Sequence, residues 1–131
     1  MNIRNCLPLL AALLVGCSGV PSWVDNPPVE QGYRYASGRS SSYSRTGARE
    51  AALANAVREL AFQKGVAVDS QIDVEDINGV VNATIRSSQG ASHTLSGIQV
   101  VEYYMVDDAQ PNEQPFEYCV LIRISERELF Q

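Results

Sequence analysis

Basic side chains, histidine and long apolar runs are all scarce in this chain of 131 residues. Lys and Arg number 10 against 15 Asp and Glu, which gives a formal net charge of −5. Phosphate binding needs clustered Lys and Arg, so this balance argues against nucleic acid as the main partner. No apolar run reaches the roughly 18 residues that a membrane span needs, so we expect no permanent transmembrane helix.

Motifs for catalysis and cofactor binding are also lacking in the sequence. His93 is the one histidine and has no cysteine near it, so it predicts no zinc site. No Gly-x-Ser-x-Gly elbow occurs, and the Ser-rich stretch 39–45 matches no P-loop because no Lys follows it. The sequence therefore predicts a protein that is not an enzyme, takes no cofactor and has no identifiable small-molecule substrate.

The acidic stretch 69–76 is the one place that suggests a calcium loop. Residues 76–79 read Asp-Ile-Asn-Gly, like part of an EF-hand, but the first and last ligand positions would be Val74 and Ile85. The pattern therefore fails, and we predict no metal ligand. We interpret three of the carboxylates as the solvent side of a strand, where charge limits pairing between sheet edges: Asp69, Asp73 and Glu75.

Residues 1–16 have the parts of an export signal. Arg4 lies in the short polar start, and residues 6–15 form an apolar region rich in Leu and Ala. The following Leu14-Val15-Gly16-Cys17 resembles the bacterial lipobox, in which the bond before the cysteine is cleaved and the cysteine is acylated. We predict a lipoprotein signal peptide over 1–16, cleavage between Gly16 and Cys17, and lipidation of Cys17. An ordinary secretory signal that ends in Cys is the alternative.

Ser18 and the two other cysteines, Cys6 and Cys119, add to the prediction of a lipoprotein. In the Gram-negative lipoproteins that the segment resembles, Asp after the cysteine retains the protein in the inner membrane, so Ser18 indicates the outer membrane. Several acyl chains, at about 0.8 kcal/mol per buried methylene, would anchor the protein permanently. Cys6 would leave with the signal, so Cys119 would be the one free thiol, and we expect it to be a buried structural residue. We expect the anchored domain to face the periplasm.

Residues 17–32 indicate a short tether between lipid and domain. Their Pro, Gly and Ser content predicts neither helix nor strand, and fully extended they would span about 50 Å. Trp23 is the one tryptophan of the chain. We expect it to fold back onto the domain or to rest at the lipid headgroups, and the alternative is a partner-binding anchor.

Residues 33–131 are predicted to form one domain that opens with a strand and a long helix. Tyr33–Gly38 predicts a short strand, and the Ser-rich residues 39–45 predict a loop. Thr46–Lys64 predicts an α-helix with Thr46 as N-cap and Gly65 just beyond its end. Apolar residues at helical spacing predict the side that faces the core: Ala52, Leu53, Ala56, Val57, Leu60 and Ala61.

After the helix, apolar residues recur at every second position, as in a strand, instead of at every third or fourth position, as in a helix. Asn78-Gly79 is a strong signal for a two-residue hairpin turn between the first two of them. Further strands are predicted over residues 98–106 and 116–124. The predicted fold class is α+β, with a single antiparallel sheet of about five strands covered on one face by one long helix, in strand-helix-strands order.

The sheet face away from the helix has more apolar residues than a solvated face needs. Alternation along the last two strands places four large residues there: Val101, Tyr103, Met105 and Leu121. We therefore expect self-association or an envelope-protein partner to cover this face. The candidate partner contacts are Trp23, Tyr103 and Met105.

Several segments of the mature chain follow the order of a known family. They are the Pro- and Trp-containing opening 21–28, the Tyr-rich strand 33–38, the Ala-rich helix 49–61, the segment 95–104 and the final strand 118–121. In this order they resemble the LPP20-type lipoproteins. The resemblance implies an outer-membrane lipoprotein with a small α+β domain and acylation of Cys17, and it carries over no catalytic residue. Members include surface lipoproteins and a flagellar lipoprotein that builds rings or disks around the basal body.

Two functional hypotheses follow from these observations. The first is a non-catalytic, lipid-anchored outer-membrane lipoprotein with a structural or assembly role, with a flagellar basal-body ring as one location. The second is a periplasmic binding module that regulates an envelope or cell-wall enzyme. Self-association separates the two, because a regulator can act as a monomer.

Overall fold

The computed structural model describes residues 20–66, 68–87, 90–106 and 115–131. A 3₁₀ turn over Ser22–Val24 comes first among the regular elements. The strands and helices that follow are β1 (Tyr33–Ser42), α1 (Arg45–Lys64), β2 (Val68–Ile77), β3 (Val80–Ser87), β4 (Ser92–Val106), β5 (Phe116–Ser125) and α2 (Glu126–Leu129). Within these described ranges, neither helix has the length and apolar character needed to cross a membrane.

The five strands form one sheet in the order β1-β5-β4-β3-β2, and all neighbouring pairs are antiparallel. β1 pairs with β5, although the two strands lie at opposite ends of the domain sequence. α1 packs on one face of the sheet against β1, β5 and β2. These observations confirm the predicted α+β fold with one antiparallel sheet and one long covering helix.

The core lies between α1 and the sheet. The predicted apolar side of the helix is confirmed, since all six of its residues are buried with Ala48: Ala52, Leu53, Ala56, Val57, Leu60 and Ala61. They pack against buried residues of the strands, including Ile85, Leu95 and Ile122. Burying each Leu, Ile or Val side chain stabilises the fold by about 1.5–3 kcal/mol, so this layer supplies most of the driving force for folding.

A glycine allows α1 to approach β1 closely. A Cβ atom on Gly38 would overlap the carbonyl oxygen of Ala52 and would lie 2.5 Å from the backbone nitrogen of Ala56. Both obstacles are helix backbone, which cannot rotate away as a side chain can. The alanine-rich side of the helix and Gly38 therefore act together to bring the two backbones into contact.

The start of α1 differs from the prediction. Ser44 is the N-cap, with an extended backbone and a side-chain oxygen that accepts a hydrogen bond from the amide of Gly47 at 2.9 Å. Thr46 lies inside the first turn, so its prediction as N-cap is wrong. The sequence offers a serine and a threonine two residues apart, and both types favour N-caps. The predicted C-terminal glycine is confirmed, because Gly65 adopts the left-handed conformation at φ 90°.

β1 is longer than predicted, and the expected loop over residues 39–45 is wrong for its first four residues. Arg39 to Ser42 pair in register with β5, from Cys119 to Phe116. The amides of Asn55 and Gln63 on α1 donate to backbone carbonyls of Arg39 and Tyr35. Serine favours turns only weakly, and pairing with a distant strand outweighs that preference here.

The hairpin between β2 and β3 is confirmed. Asn78 and Gly79 have positive φ values of 54° and 83°, as the two central residues of a type I′ turn require. Along β3, side chains alternate strictly between exposed and buried. Asp73 and Glu75 are exposed on β2, as predicted. The side chain of Asp69, the third predicted carboxylate, is not among those that the structure describes.

Two irregularities in β4 change which residues face the helix. One register shift surrounds Gly97, which has a φ of 79°, and the second lies between Val100 and Glu102. Each inserts a residue that the partner strand does not match, so the alternation of faces changes phase. Tyr103 pairs with Val120, and Met105 with Tyr118, on the helix side of the sheet. Their predicted placement on the face away from the helix is therefore wrong.

Candidate functional site

The predicted processing residues lie outside the described part of the chain. Gly16 and Cys17 precede Val20, where the description begins. Lipidation and cleavage therefore stay predictions. The other predicted candidates, Trp23, Tyr103 and Met105, are all described, and they lie on opposite faces of the sheet rather than on one shared surface.

The segment predicted as an extended tether is docked on the domain, so that interpretation is wrong for residues 20–32. Pro21 is buried, and the 3₁₀ turn that follows contacts β1 and β5. The Trp23 indole donates to the Glu102 carboxylate at 3.2 Å, and the Ser37 hydroxyl donates to the Val24 carbonyl at 2.8 Å. Prolines fix this backbone, and side chains of the sheet satisfy its polar groups, which the local composition could not reveal.

Further contacts hold the end of the same segment. The Glu30 carboxylate accepts from the Tyr35 hydroxyl at 3.1 Å and lies 3.4 Å from the Arg123 guanidinium. The amide of Glu126 donates to the carbonyl of Gly32 at 2.9 Å. The expectation that Trp23 folds back onto the domain is met by its bond to Glu102.

The docked segment lies over the sheet face away from α1. On this face Cys119 is fully buried and Leu121 is 3% exposed. Burial raises the pKa of the Cys119 thiol above its usual value, with Arg39 opposing and Glu117 adding to the shift. A buried, protonated thiol is a poor nucleophile, which agrees with the structural role expected of Cys119.

A second feature lies on the opposite face, at the start of α1. A groove with a cavity of about 270 Å³ opens between the first turns of the helix and strands β2, β4 and β5. Two arginines four residues apart, Arg45 and Arg49, form one wall. The remaining lining residues are Thr46, Glu50, Leu53, Val74, Asp76, Tyr103 and Tyr118.

Arg49 is held in place by two partners. Its guanidinium lies over the Tyr103 ring, 4.3 Å from the ring centre, and 3.6 Å from the Asp76 carboxylate. Asp76 also accepts a hydrogen bond from the Tyr103 hydroxyl at 2.8 Å and one from the amide of Gly79 at 3.0 Å. The three side chains therefore form a connected polar cluster along one side of the groove.

Tyr103 has a raised pKa in this cluster. Burial, followed by its hydrogen bond to Asp76, raises the pKa of Tyr103 to about 12. The ring also packs edge-on against Tyr118, with centroids 6.5 Å apart and planes at 89°. The phenol therefore stays protonated at physiological pH and acts as a hydrogen-bond donor.

Arg45 differs from Arg49 in its partners. Its guanidinium lies over the Phe116 ring, 5.4 Å from the centre. Among the described residues, no carboxylate forms an ion pair with it. Over the described ranges, the groove thus presents one guanidinium that lies over an aromatic ring and has no ion-pair partner.

Sequence reasoning missed this groove. The spacing of Arg45 and Arg49 was visible and places both on one side of a helix. The opposite wall was not predictable, because Asp76, Tyr103 and Tyr118 come from three strands, and the phase change in β4 decides which way Tyr103 faces. Trp23 and Met105, which sequence reasoning selected, do not line the groove.

The histidine and the acidic residues of the described ranges form no further site. His93 is partly buried on β4, opposite Ile85 of β3. Over the described ranges, no three His, Cys, Asp or Glu side chains are grouped closely enough to hold a metal ion.

No family model matches this chain, and comparisons with curated proteins and with solved structures found no match either. The resemblance to the LPP20-type lipoproteins therefore stays a prediction from the sequence.

Proposed function

We propose that this protein is a non-catalytic, lipid-anchored outer-membrane lipoprotein with a structural or assembly role in the bacterial envelope. Acyl chains on Cys17 hold it in the membrane, and the domain faces the periplasm. The support for this proposal is the lipobox-like segment at residues 14–17, Ser18 after it, and the order of motifs that resembles the LPP20-type family.

The observation that carries the structural part of the proposal is the docking of residues 20–32 on the sheet. Two residues lie between Cys17 and Val20, and the three Cα–Cα steps that join them span about 11 Å at most. An anchored domain is therefore held close to the bilayer in a restricted orientation, instead of moving on a long tether. A restricted orientation suits a component that packs beside neighbours in a fixed arrangement.

A small apolar area on the same face offers a place for such neighbours. Ile77, Val80 and Val101 lie around the hairpin turn and are 55%, 46% and 47% exposed. Self-association or packing against another envelope protein would bury them. The area is smaller than the sequence predicted, because the docked segment covers Leu121 and the helix side takes Tyr103 and Met105.

The second candidate function is a binding module that regulates an envelope or cell-wall enzyme. The groove between α1 and the strands favours it, since Arg45 lines the groove and pairs with no carboxylate in the part of the chain that the structure describes. The groove opens on the face opposite the docked segment, so a membrane-anchored domain would present it away from the bilayer.

Lipidation is tested by labelling cells with a radioactive fatty acid and separating their membranes. Wild-type protein and the matched control Cys6→Ser, whose changed residue leaves with the signal, are expected to carry label and to fractionate with the outer membrane. Cys17→Ser is expected to carry none and to leave that fraction. Labelled Cys17→Ser protein in the outer membrane would contradict the proposal.

The flagellar location is tested by swimming in soft agar. A strain without the gene is expected to lose swimming, and complementation with wild type but not with Cys17→Ser is expected to restore it. Normal swimming of the deletion strain would remove the flagellar location and leave the anchored envelope role to be tested by partner capture.

A further inference from the structure

We propose that the groove at the start of α1 binds an α-carboxylate that carries one small apolar side chain, as at a peptide C terminus or in a free acylated amino acid. The inference uses the proposed function only to place the groove in the periplasm. Binding in solution can fail while membrane anchoring stands, and anchoring can fail while binding stands, so the two tests are independent.

Arg45 supplies the recognition of the carboxylate. Its guanidinium lies over the Phe116 ring, 5.4 Å from the ring centre, and forms no ion pair with a carboxylate of the described residues. The edge of a guanidinium presents two parallel N–H donors that match the two oxygens of a carboxylate. Because Arg45 has no carboxylate partner among the described residues, a ligand would not have to displace one.

Arg49 supplies a second, fixed positive charge on the same side of the helix. Its position is held by the Tyr103 ring and by Asp76, so it does not collapse onto the space in front of Arg45. Residues four apart on a helix are neighbours, so both guanidinium groups act on one anion. Asp76 is already engaged by Arg49, by Tyr103 and by the amide of Gly79, which limits its repulsion of that anion.

The apolar wall and the size of the cavity define the rest of the ligand. Leu53, Val74 and Tyr118 add apolar surface to the same cavity. The volume of about 270 Å³ is below the range of roughly 300–1,000 Å³ typical of sites for drug-sized ligands. This volume suits one amino-acid-sized group.

Glu50 lowers the attraction of the groove for doubly charged anions. It lines the same cavity and, within the described part of the chain, forms no ion pair. A phosphate dianion would be repelled by it more strongly than a carboxylate. We therefore expect a carboxylate to bind better than inorganic phosphate.

The test is a nitrogen-15 NMR titration of the acylated protein in detergent micelles. N-acetyl-leucine is expected to bind with a Kd of about 1 mM, a usual value for so small a ligand, and to shift the amides of residues 45–50. N-acetyl-leucinamide, which lacks the charge, is expected to bind at least about tenfold more weakly. Equal binding of acid and amide, or no shift with either, would overturn the proposal, as would inorganic phosphate binding as tightly as the acid.

A matched pair of variants assigns the binding to the groove. Arg45→Ala is expected to weaken N-acetyl-leucine by about tenfold or more. Arg58→Ala removes an exposed arginine of the same helix that donates to Asn55 at 3.2 Å and does not line the groove, and it is expected to leave the affinity unchanged. Equal affinity in wild type and Arg45→Ala would show that the ligand binds elsewhere and would reject the assignment.

Peptides distinguish the two sources of this chemistry. A tetrapeptide with a free C-terminal leucine is compared with N-acetyl-leucine in the same titration. Affinity at least tenfold higher for the peptide assigns the site to a protein C terminus, and equal affinity assigns it to a free acylated amino acid. A peptide that fails to bind although the amino acid binds also supports the free molecule.

Discussion

The Trp23 indole donates a hydrogen bond to the Glu102 carboxylate at 3.2 Å and thereby joins two residues 79 positions apart. The bond holds the N-terminal segment on the sheet face that α1 does not cover. Beneath that face Cys119 is fully buried. The segment that the sequence predicted to be a tether is thus part of the domain.

Replacing Trp23 tests whether this docking protects the sheet. Trp23→Ala removes a partly buried ring and the donor to Glu102, so we expect the free energy of unfolding to fall by about 1–3 kcal/mol. Cys119 should then react faster with a thiol reagent, because its cover is loosened. The control is Ser22→Ala, a change at the exposed neighbouring position, which should alter neither quantity. Equal thiol reactivity in all three proteins would contradict the docking.

Gly38 tests the close approach of β1 and α1. Gly38→Ala places a methyl group against the backbone at Ala52 and Ala56, so the helix must move away from the sheet. We expect a loss of about 3 kcal/mol in the free energy of unfolding, measured by urea denaturation. Ser41→Ala, at an exposed position of the same strand, should change it by less than about 0.5 kcal/mol. A neutral Gly38→Ala would mean that the helix is not in contact with β1.

Tyr103 gives a pH dependence of stability with a defined sign. Its pKa is about 12 in the folded protein, above the usual value of 10.0. The folded state therefore holds this proton more tightly, and the resulting stability is present below pH 10 and is lost as pH rises toward 12. We expect Tyr103→Phe to be less stable than wild type at pH 8 by about 1 kcal/mol, with the difference shrinking at high pH.

The measurement for Tyr103 is a series of urea unfolding curves from pH 8 to about pH 11.5, within the range set by its raised pKa. Tyr43→Phe is the matched control, since Tyr43 is 72% exposed and its replacement should leave the pH dependence unchanged. A constant difference between wild type and Tyr103→Phe across this range would show that Tyr103 does not titrate with a raised pKa.

The carboxylates of β2 test the protection of a sheet edge. Asp73 and Glu75 are exposed on β2, one of the two edge strands of the sheet, where they keep a second chain from pairing with that edge. We expect the double change Asp73→Val and Glu75→Val to cause concentration-dependent association, measured by light scattering. Thr84→Val, on the inner strand β3, is the control and should remain as soluble as wild type. An equally soluble double variant would remove this role for the carboxylates.

Local patterns were sufficient to predict α1 and the β2–β3 hairpin. The helix repeats apolar residues at its own period, and Asn78-Gly79 supplies the positive φ values that a tight turn needs. The full length of β1 was not predictable in this way, because its serines are held in the sheet by β5, which lies far away in the sequence.

Phase changes and long-range docking account for the other differences. The irregularities at Gly97 and Val101 each shift the alternation of β4. Because Val101 lies between Ile98 and Tyr103, counting alternate residues from Ile98 assigns Tyr103 to the wrong face of the sheet. Trp23 could be expected to fold back, but its acceptor, Glu102, could not be identified without the fold. The groove combines a helical pair, Arg45 and Arg49, with side chains from three strands, and only the folded chain brings them together.

The most direct test of the central claim uses the fluorescence of the chain's one tryptophan. The acylated protein is reconstituted into vesicles that contain phospholipids with brominated acyl chains, which quench a tryptophan inserted among them. We expect the protein to float with the vesicles while Trp23 emission is scarcely quenched, because the ring is docked beside Glu102. Strong quenching would place Trp23 in the bilayer and contradict the docking, and protein that stays behind in solution would contradict the lipid anchor.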